Sequence, residues 1–206
     1  MRNTDAATTA ALASGALVPR DFIWVGARNR ATDARVWFGL WSDLGTISAD
    51  VIDPDTGLTV SRTYEGAGDL VSVGALPLST GFGVQTVPIQ LSKVSATVAT
   101  MVRTHDVRRA PIQMHRAFLD PASMIQVADA ECYFTGEIDE APITTPAEGQ
   151  EGAVTFTATS LAQELTRVNT ATRSAADQAR RAATDTFFDH AATVGTWQIF
   201  WGQKRA

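Results

Sequence analysis

Arg35-Val36-Trp37-Phe38-Gly39-Leu40-Trp41 alternates apolar side chains with a period of two. Val36, Phe38 and Leu40 fall on one face of a strand, and Trp37 and Trp41 on the other. Aromatic and β-branched residues favour extended backbone because they pack well on a pleated surface. Apolar groups on both faces fit a strand packed on two sides, or one whose indoles stand free as an aromatic platform.

The same grammar continues on either side. Upstream, Phe22-Ile23-Trp24-Val25 is a short apolar run. Downstream, residues 51–60 read as strand, turn, strand. Pro54 pre-sets one turn dihedral and Gly57 tolerates positive φ, so 54–57 makes the tip. Val87, Ile89 and Leu91 alternate after Gly81-Phe82-Gly83; Pro88 between them marks an edge strand or a bulge. Residues 111–118 and 123–128 read as two strands around Asp120-Pro121, and 131–138 continues the sheet. Residues 153–159 give the cleanest alternation, with Val154, Phe156 and Ala158 inward and Thr155, Thr157 and Thr159 outward. The loop 141–152, with two prolines and two glycines, separates these last two strands.

Two segments change period. Over 92–103, Val94, Val98, Met101 and Val102 fall on one helical stripe. Ser160-Leu161-Ala162-Gln163 has the capping-box pattern, so a helix with a stripe of Leu161, Leu165 and Val168 is predicted from Ser160. Residues 1–17 are rich in alanine and threonine and have little to bury beyond Leu12 and Leu17, which predicts a flexible or partner-ordered arm. The fold class is therefore mainly β with short helices (α+β), a β-barrel or sandwich with helical insertions. Its divisions are the arm at 1–17, the β-rich part at 18–170 and a C-terminal interaction segment at 171–206.

Composition excludes more than it selects. A chain of 206 residues with 45% hydrophobic content can build one sizeable core or two small ones. It has no apolar run long enough to span a membrane as a helix, and no secretory leader is expected. The net charge of -5 argues against a nucleic-acid binder with a basic surface. One cysteine excludes an intramolecular disulfide framework. The charged fraction is 19%, against roughly 25% in typical soluble domains, which suits a chain whose surface is covered by partners. Only two of the 17 basic residues are lysine, and arginine is the interface-preferring cation.

Catalytic patterns do not assemble. Cys132 reads as a small core residue sharing a strand face with Ala130 and Phe134. His105, His115 and His190 lie in no metal-binding spacing and read as surface or partly buried hydrogen-bonding groups. Asp53-Pro54-Asp55-Thr56-Gly57 resembles the start of a calcium loop but lacks its later ligands, so it reads as a hairpin tip. Gly66-Ala67-Gly68 and Gly81-Phe82-Gly83 lack phosphate-loop spacing and read as turns or bulges. Glu137, Asp139 and Glu140 could form an acid/base pair, but no spacing requires it. No catalytic residue, metal or cofactor is predicted.

The C-terminal segment points to contact rather than chemistry. Over 173–185 alanine is the only apolar residue, so a helix there buries little. Phe187, Phe188, Trp197 and Trp201 follow directly. Large aromatics beside arginine are the composition of an interface. The candidate interface residues are Arg173, Asp177, Gln178, Arg180, Arg181, Asp185, Phe187, Phe188 and Trp201.

Residues 84–202 resemble a family of tail-tip proteins from long-tailed bacteriophages and prophages. The pattern runs from Val84-Gln85-Thr86-Val87-Pro88-Ile89-Gln90-Leu91-Ser92 through Val107-Arg108-Arg109-Ala110-Pro111-Ile112 to Phe134-Thr135-Gly136-Glu137-Ile138-Asp139. It takes in 152–159 and Leu165-Thr166-Arg167, and closes on Arg173-Ser174, Gln178, Arg180, Asp185, Phe187-Phe188 and Trp201-Gly202. The closing section is its most specific part. The resemblance implies a baseplate hub or distal-tail structural protein, with tube-like β-barrel domains, assembled in the host cytoplasm into the virion. It implies a homo-oligomeric ring, a trimer favoured over a hexamer. Its neighbours would be distal-tail, central hub or fibre and tape-measure proteins, with DNA only as passing cargo. Some related hub proteins carry an iron–sulfur site, which one cysteine cannot ligate, so that feature is not carried over. A cell-wall hydrolase and a receptor- or carbohydrate-binding module built on Trp24, Trp37 and Trp41 are the competing readings.

Overall fold

The computed structural model describes residues 5–66, 72–76, 83–92, 95–142, 153–168, 170–198 and 202. The chain divides into two compact units, Met1–Thr166 and Arg167–Ala206.

The first unit opens with helix α1 (Ala6–Ser14), where sequence predicted an arm. Alanine supplies helix propensity. Asp5 accepts the Ala7 N–H at the start, and Gly15, at φ 72°, ends the helix in the left-handed conformation that a Cβ disfavours.

The strands follow as β1 (Val18–Asn29), β2 (Arg35–Trp41), β3 (Thr46–Ile52), β4 (Thr59–Gly66), β5 (Ser72–Val73) and β6 (Thr86–Ser92). After helix α2 (Ala96–Thr104) come β7 (His105–Asp106), β8 (Pro111–Leu119), β9 (Glu131–Glu140) and β10 (Ala153–Ser160). They form one sheet in the order β3-β4-β2-β1-β8-β9-β10-β6-β5, with β7 beside β1. The protein is thus mainly β with short helices, as the alternation predicted.

The sheet curls back on itself. Ala130, entering β9, bridges Val51 of β3: its N–H donates to the Asp50 carbonyl at 2.9 Å, and its own carbonyl accepts the Ile52 N–H at 3.0 Å. The six strands from β3 to β9 thereby close around a small core of Phe22, Trp41, Ala49, Val51, Tyr64, Ala117, Leu119 and Ala130. Gly39 permits this closure. A Cβ there would fall on the Thr63 carbonyl oxygen and against the Trp24 and Tyr64 rings. Only a glycine lets β4 lie close enough to β2 for the parallel contact of Leu40 with Glu65.

Both faces of the central strands are buried. On β1, Ile23, Val25 and Ala27 enter a larger core, while Phe22 and the half-buried Trp24 face the small one. On β2, Phe38 and Leu40 join the larger core and Trp41 the small one. Val98, Met101 and Val102 of α2 pack into the larger core with β6 and β10. Ser95 caps α2 through the Val98 N–H, so the helix begins at Ala96, four residues after the predicted start. Val94 lies outside the described residues.

Four expectations are corrected. Residues 123–128 do not form a strand: Asp120 folds them into a turn, accepting N–H donors from Ala122 on its carboxylate and Met124 on its carbonyl, with one isolated bridge from Leu119 to Gln126. No α-helix starts at Ser160. Its hydroxyl accepts the Gln85 N–H instead of capping, and 161–166 is a 3-10 turn (η1, Leu161–Thr166) with Leu161 and Leu165 exposed. Thr159, expected outside, is buried. Cys132 and Phe134 do not share a face: the register shifts between Met114 and His115, Tyr133 is the extra residue, and Phe134 turns to the larger core.

Pro88 sits on the next-to-last strand. Its carbonyl accepts from Gly74 on the outer side, so its missing N–H also faces away from β10. Ala67-Gly68, Gly81-Phe82 and residues 143–152 lie outside the described residues.

Candidate assembly interface

The second unit carries the residues that sequence marked for contact. Ser174 caps a seven-residue helix, α3 (Ala175–Arg181), by accepting the Asp177 N–H. One turn on, Arg181 reaches Asp177 at 3.3 Å, an exposed pair that contributes little to stability. The Gln178 amide donates to Asp185, whose carboxylate also accepts the Phe187 N–H at 3.0 Å. That backbone bond, helped by Gln178, holds the Asp185 carboxyl below its usual value. The knot presents Phe187 and Phe188 as an edge-to-face pair with centroids 4.9 Å apart.

Gln178, Asp185, Phe187 and Phe188 are thus brought together, and Asp177 with Arg181. Arg173 and Arg180 form no ion pair among the described residues. Trp201 lies outside the described residues.

Not one described residue of 167–206 is buried. Phe187 is 80% exposed, and Val168, Val194 and Trp197 are exposed as well. Among the described residues, the Trp197 ring meets the His190 ring, with centroids 5.0 Å apart. Forty residues ordinarily hide their large aromatics in a core, and the described ones here are exposed or half-buried. Charge divides the same way. Residues 167–206 hold six basic and three acidic side chains, formally +3, while 1–166 hold eleven and nineteen, formally -8.

The first unit holds a polar cluster that the sequence reading missed. Arg62 of β4 faces inward with Tyr64, donating to Asp53 at 2.6 Å and to the Gln113 Oε1 at 2.7 Å, with its guanidinium 5.0 Å from the Trp24 ring. Burial raises the Asp53 carboxyl, but N–H donors from Asp55 and Thr56 and the Arg62 charge outweigh it and leave the value lowered. Arg62 occupies an inward position in the alternation Val60-Arg62-Tyr64, which is the signal that would have found it.

His115, expected at the surface or half-buried, is fully buried on the same side. Its Nε2 lies 3.1 Å from the Ile52 carbonyl, which only accepts, so Nε2 carries the hydrogen. Nδ1 is buried without a partner, and burial lowers the pKa to about 4.

Cys132 pairs across the ladder with His115, yet neither activates the other. The thiol donates to the Phe134 carbonyl and burial pushes its pKa up, which keeps it protonated and a poor nucleophile. His105 is buried beside Phe38 and meets the Thr104 hydroxyl at 2.7 Å. Glu137 meets Arg109 at 3.8 Å.

The tryptophans do not form a platform. Trp41 is buried, and Trp37 stacks on Trp24 at 5.8 Å with rings 9° from parallel, leaving Trp37 40% exposed. Compared with known proteins, the chain matches no family model and no curated protein.

Proposed function

We propose that the chain is a structural subunit of a bacteriophage tail tip. It forms a hub ring, a trimer rather than a hexamer, that continues the tail tube and anchors neighbouring tail-tip or fibre proteins while DNA passes as cargo. One observation carries the assembly part of this reading: a basic C-terminal unit with exposed aromatics and no buried residue among those described, joined to an acidic β-rich unit. Exposed Phe and Arg gain from desolvation against a partner, so such a segment completes itself on a neighbour. The phage part rests on the resemblance over 84–202, whose closing motif is this same unit.

Mechanically, such a subunit acts by geometry. Closed symmetry fixes which surfaces meet, and the ring leaves a bore. A second reading, sugar binding at Trp24, Trp37 and Trp41, loses its motive, because two of the three indoles are covered by neighbouring side chains.

The test is assembly of particles carrying Arg173→Ala, Arg180→Ala and Arg181→Ala together. The isolated chain keeps its fold and thermal midpoint, while incorporation into tails, read by native mass measurement of purified tail tips, falls at least tenfold. Unchanged incorporation sinks the reading.

A further inference from the structure

The outer edge of β3 is only partly covered. The Asp50 carbonyl and Ile52 N–H bond to Ala130, but the Asp50 N–H is met by a side chain, the Gln126 Oε1, at 3.2 Å. The Gln126 Nε2 returns to the Asp50 carbonyl at 2.6 Å and to the Ala128 carbonyl at 2.7 Å. An amide side chain thus stands where a neighbouring strand would run. Strand alternation turns the N–H and C=O of Ser48 and Thr46 to this same side. Neither residue has a backbone partner there among the described residues. Such an edge is a template for an added strand.

Beside it the 124–129 strap leaves a groove of about 440 Å³, lined by Ile47, Ser48, Asp50, Met124, Ile125 and Asp129. Met124 and Ile125 are both exposed large apolar side chains. Asp50 has no cation partner among the described residues, and Asp129 accepts only the Thr59 hydroxyl. The groove therefore asks for an occupant with an apolar group and cations.

The chain itself carries such an occupant. Its C-terminal unit is formally +3 against -8 for the rest, Arg173 and Arg180 lack acidic partners among the described residues, and Phe187 is exposed. We propose that the β3 groove receives the C-terminal unit of a second copy of this chain. Phe187 lies against Met124 and Ile125, and Arg173 and Arg180 face Asp50 and Asp129. The proposal rests on the ring reading above and deepens it, since it names the two surfaces that meet. Each copy offers one groove and one tail, so the contact is head-to-tail and closes into a ring when its rotation does. Opposite charge steers the encounter, and the apolar contact holds it.

The experiment uses two full-length variants that leave both cores untouched. One carries Asp50→Lys with Ile125→Asp; the other carries Arg173→Glu, Arg180→Glu and Phe187→Ala. Circular dichroism first verifies that both keep the parent spectrum. In sedimentation the parent forms closed oligomers and each variant alone is monomeric. Their equimolar mixture forms a one-to-one dimer, because one intact groove and one intact tail survive in it. A mixture that stays monomeric overturns the proposal. A groove variant that assembles like the parent overturns it while leaving the assembly role of the tail standing. A parent that is monomeric alone yet enters tails with other proteins also overturns self-docking. A parent that never enters tails sinks the ring reading instead.

Discussion

Arg62 is the residue on which the small core turns. It ties Asp53, just after β3, to Gln113 on β8, so a single guanidinium spans three parts of the closed barrel. Removing one member of a buried ion pair strands its partner, a cost of about 3 kcal/mol or more. Arg62→Met should lower unfolding stability by about that amount, read from the urea midpoint at constant slope. His115 adds a pH dependence. Its folded pKa, about 4, lies below the usual 6.5, because burial disfavours the charged ring; the Ile52 carbonyl and Asp53 oppose this and Arg62 supports it. The unfolded chain therefore binds more protons between these values. Stability is full above pH 6.5 and falls as pH drops toward 4, by about 3 kcal/mol in total. His115→Gln, which keeps a donor for Ile52, should flatten that slope between pH 6.5 and 4; a slope equal to the parent's would show that other groups carry it. Neither role was readable from sequence beyond the parity of Arg62, because a strand's neighbours are set by pairing far along the chain.

Among the elements, β2 shows how far local pattern reaches. Its alternation sorted Phe38 and Leu40 from Trp37 and Trp41 correctly, since side-chain direction follows from strand geometry alone. What pattern left open was whether the tryptophan face is covered, and β4 decides that by crossing at Gly39. Gly39→Ala places a methyl on the Thr63 carbonyl oxygen, so β4 must shift. The expected loss is about 3 kcal/mol, with increased Trp fluorescence quenching by acrylamide as the Trp24–Trp41 face opens. The helix predicted from Ser160 failed for a related reason. Its capping hydroxyl was taken by Gln85, some 75 residues earlier, and no apolar surface covers Leu161 and Leu165. The bulge at Tyr133 likewise shifts faces without any local mark in the sequence.

At the scale of the whole molecule, the two units differ in what they bury. Every described buried side chain lies in 1–166, so a chain ending at Thr166 should fold cooperatively. Its thermal midpoint should fall within about 4 °C of the full chain, because no described residue of 167–206 is buried, while its self-association disappears. A drop of 15 °C would mean that the C-terminal unit belongs to the body's own core. The sequence by itself determined the strand periods, the hairpin tip at 54–57, the apolar stripe of α2 and the aromatic, arginine-rich character of the tail. These depend on neighbours only a few residues apart, where backbone geometry translates spacing directly into direction. Only the tertiary structure decided that Ala130 closes the sheet onto β3, that Arg62 and His115 share a buried cluster, and that Ser48 faces an open edge beside Met124 and Ile125. Those depend on hydrogen bonds between residues tens of positions apart, and the energy that selects them comes from burial of the whole sheet rather than from any segment of it.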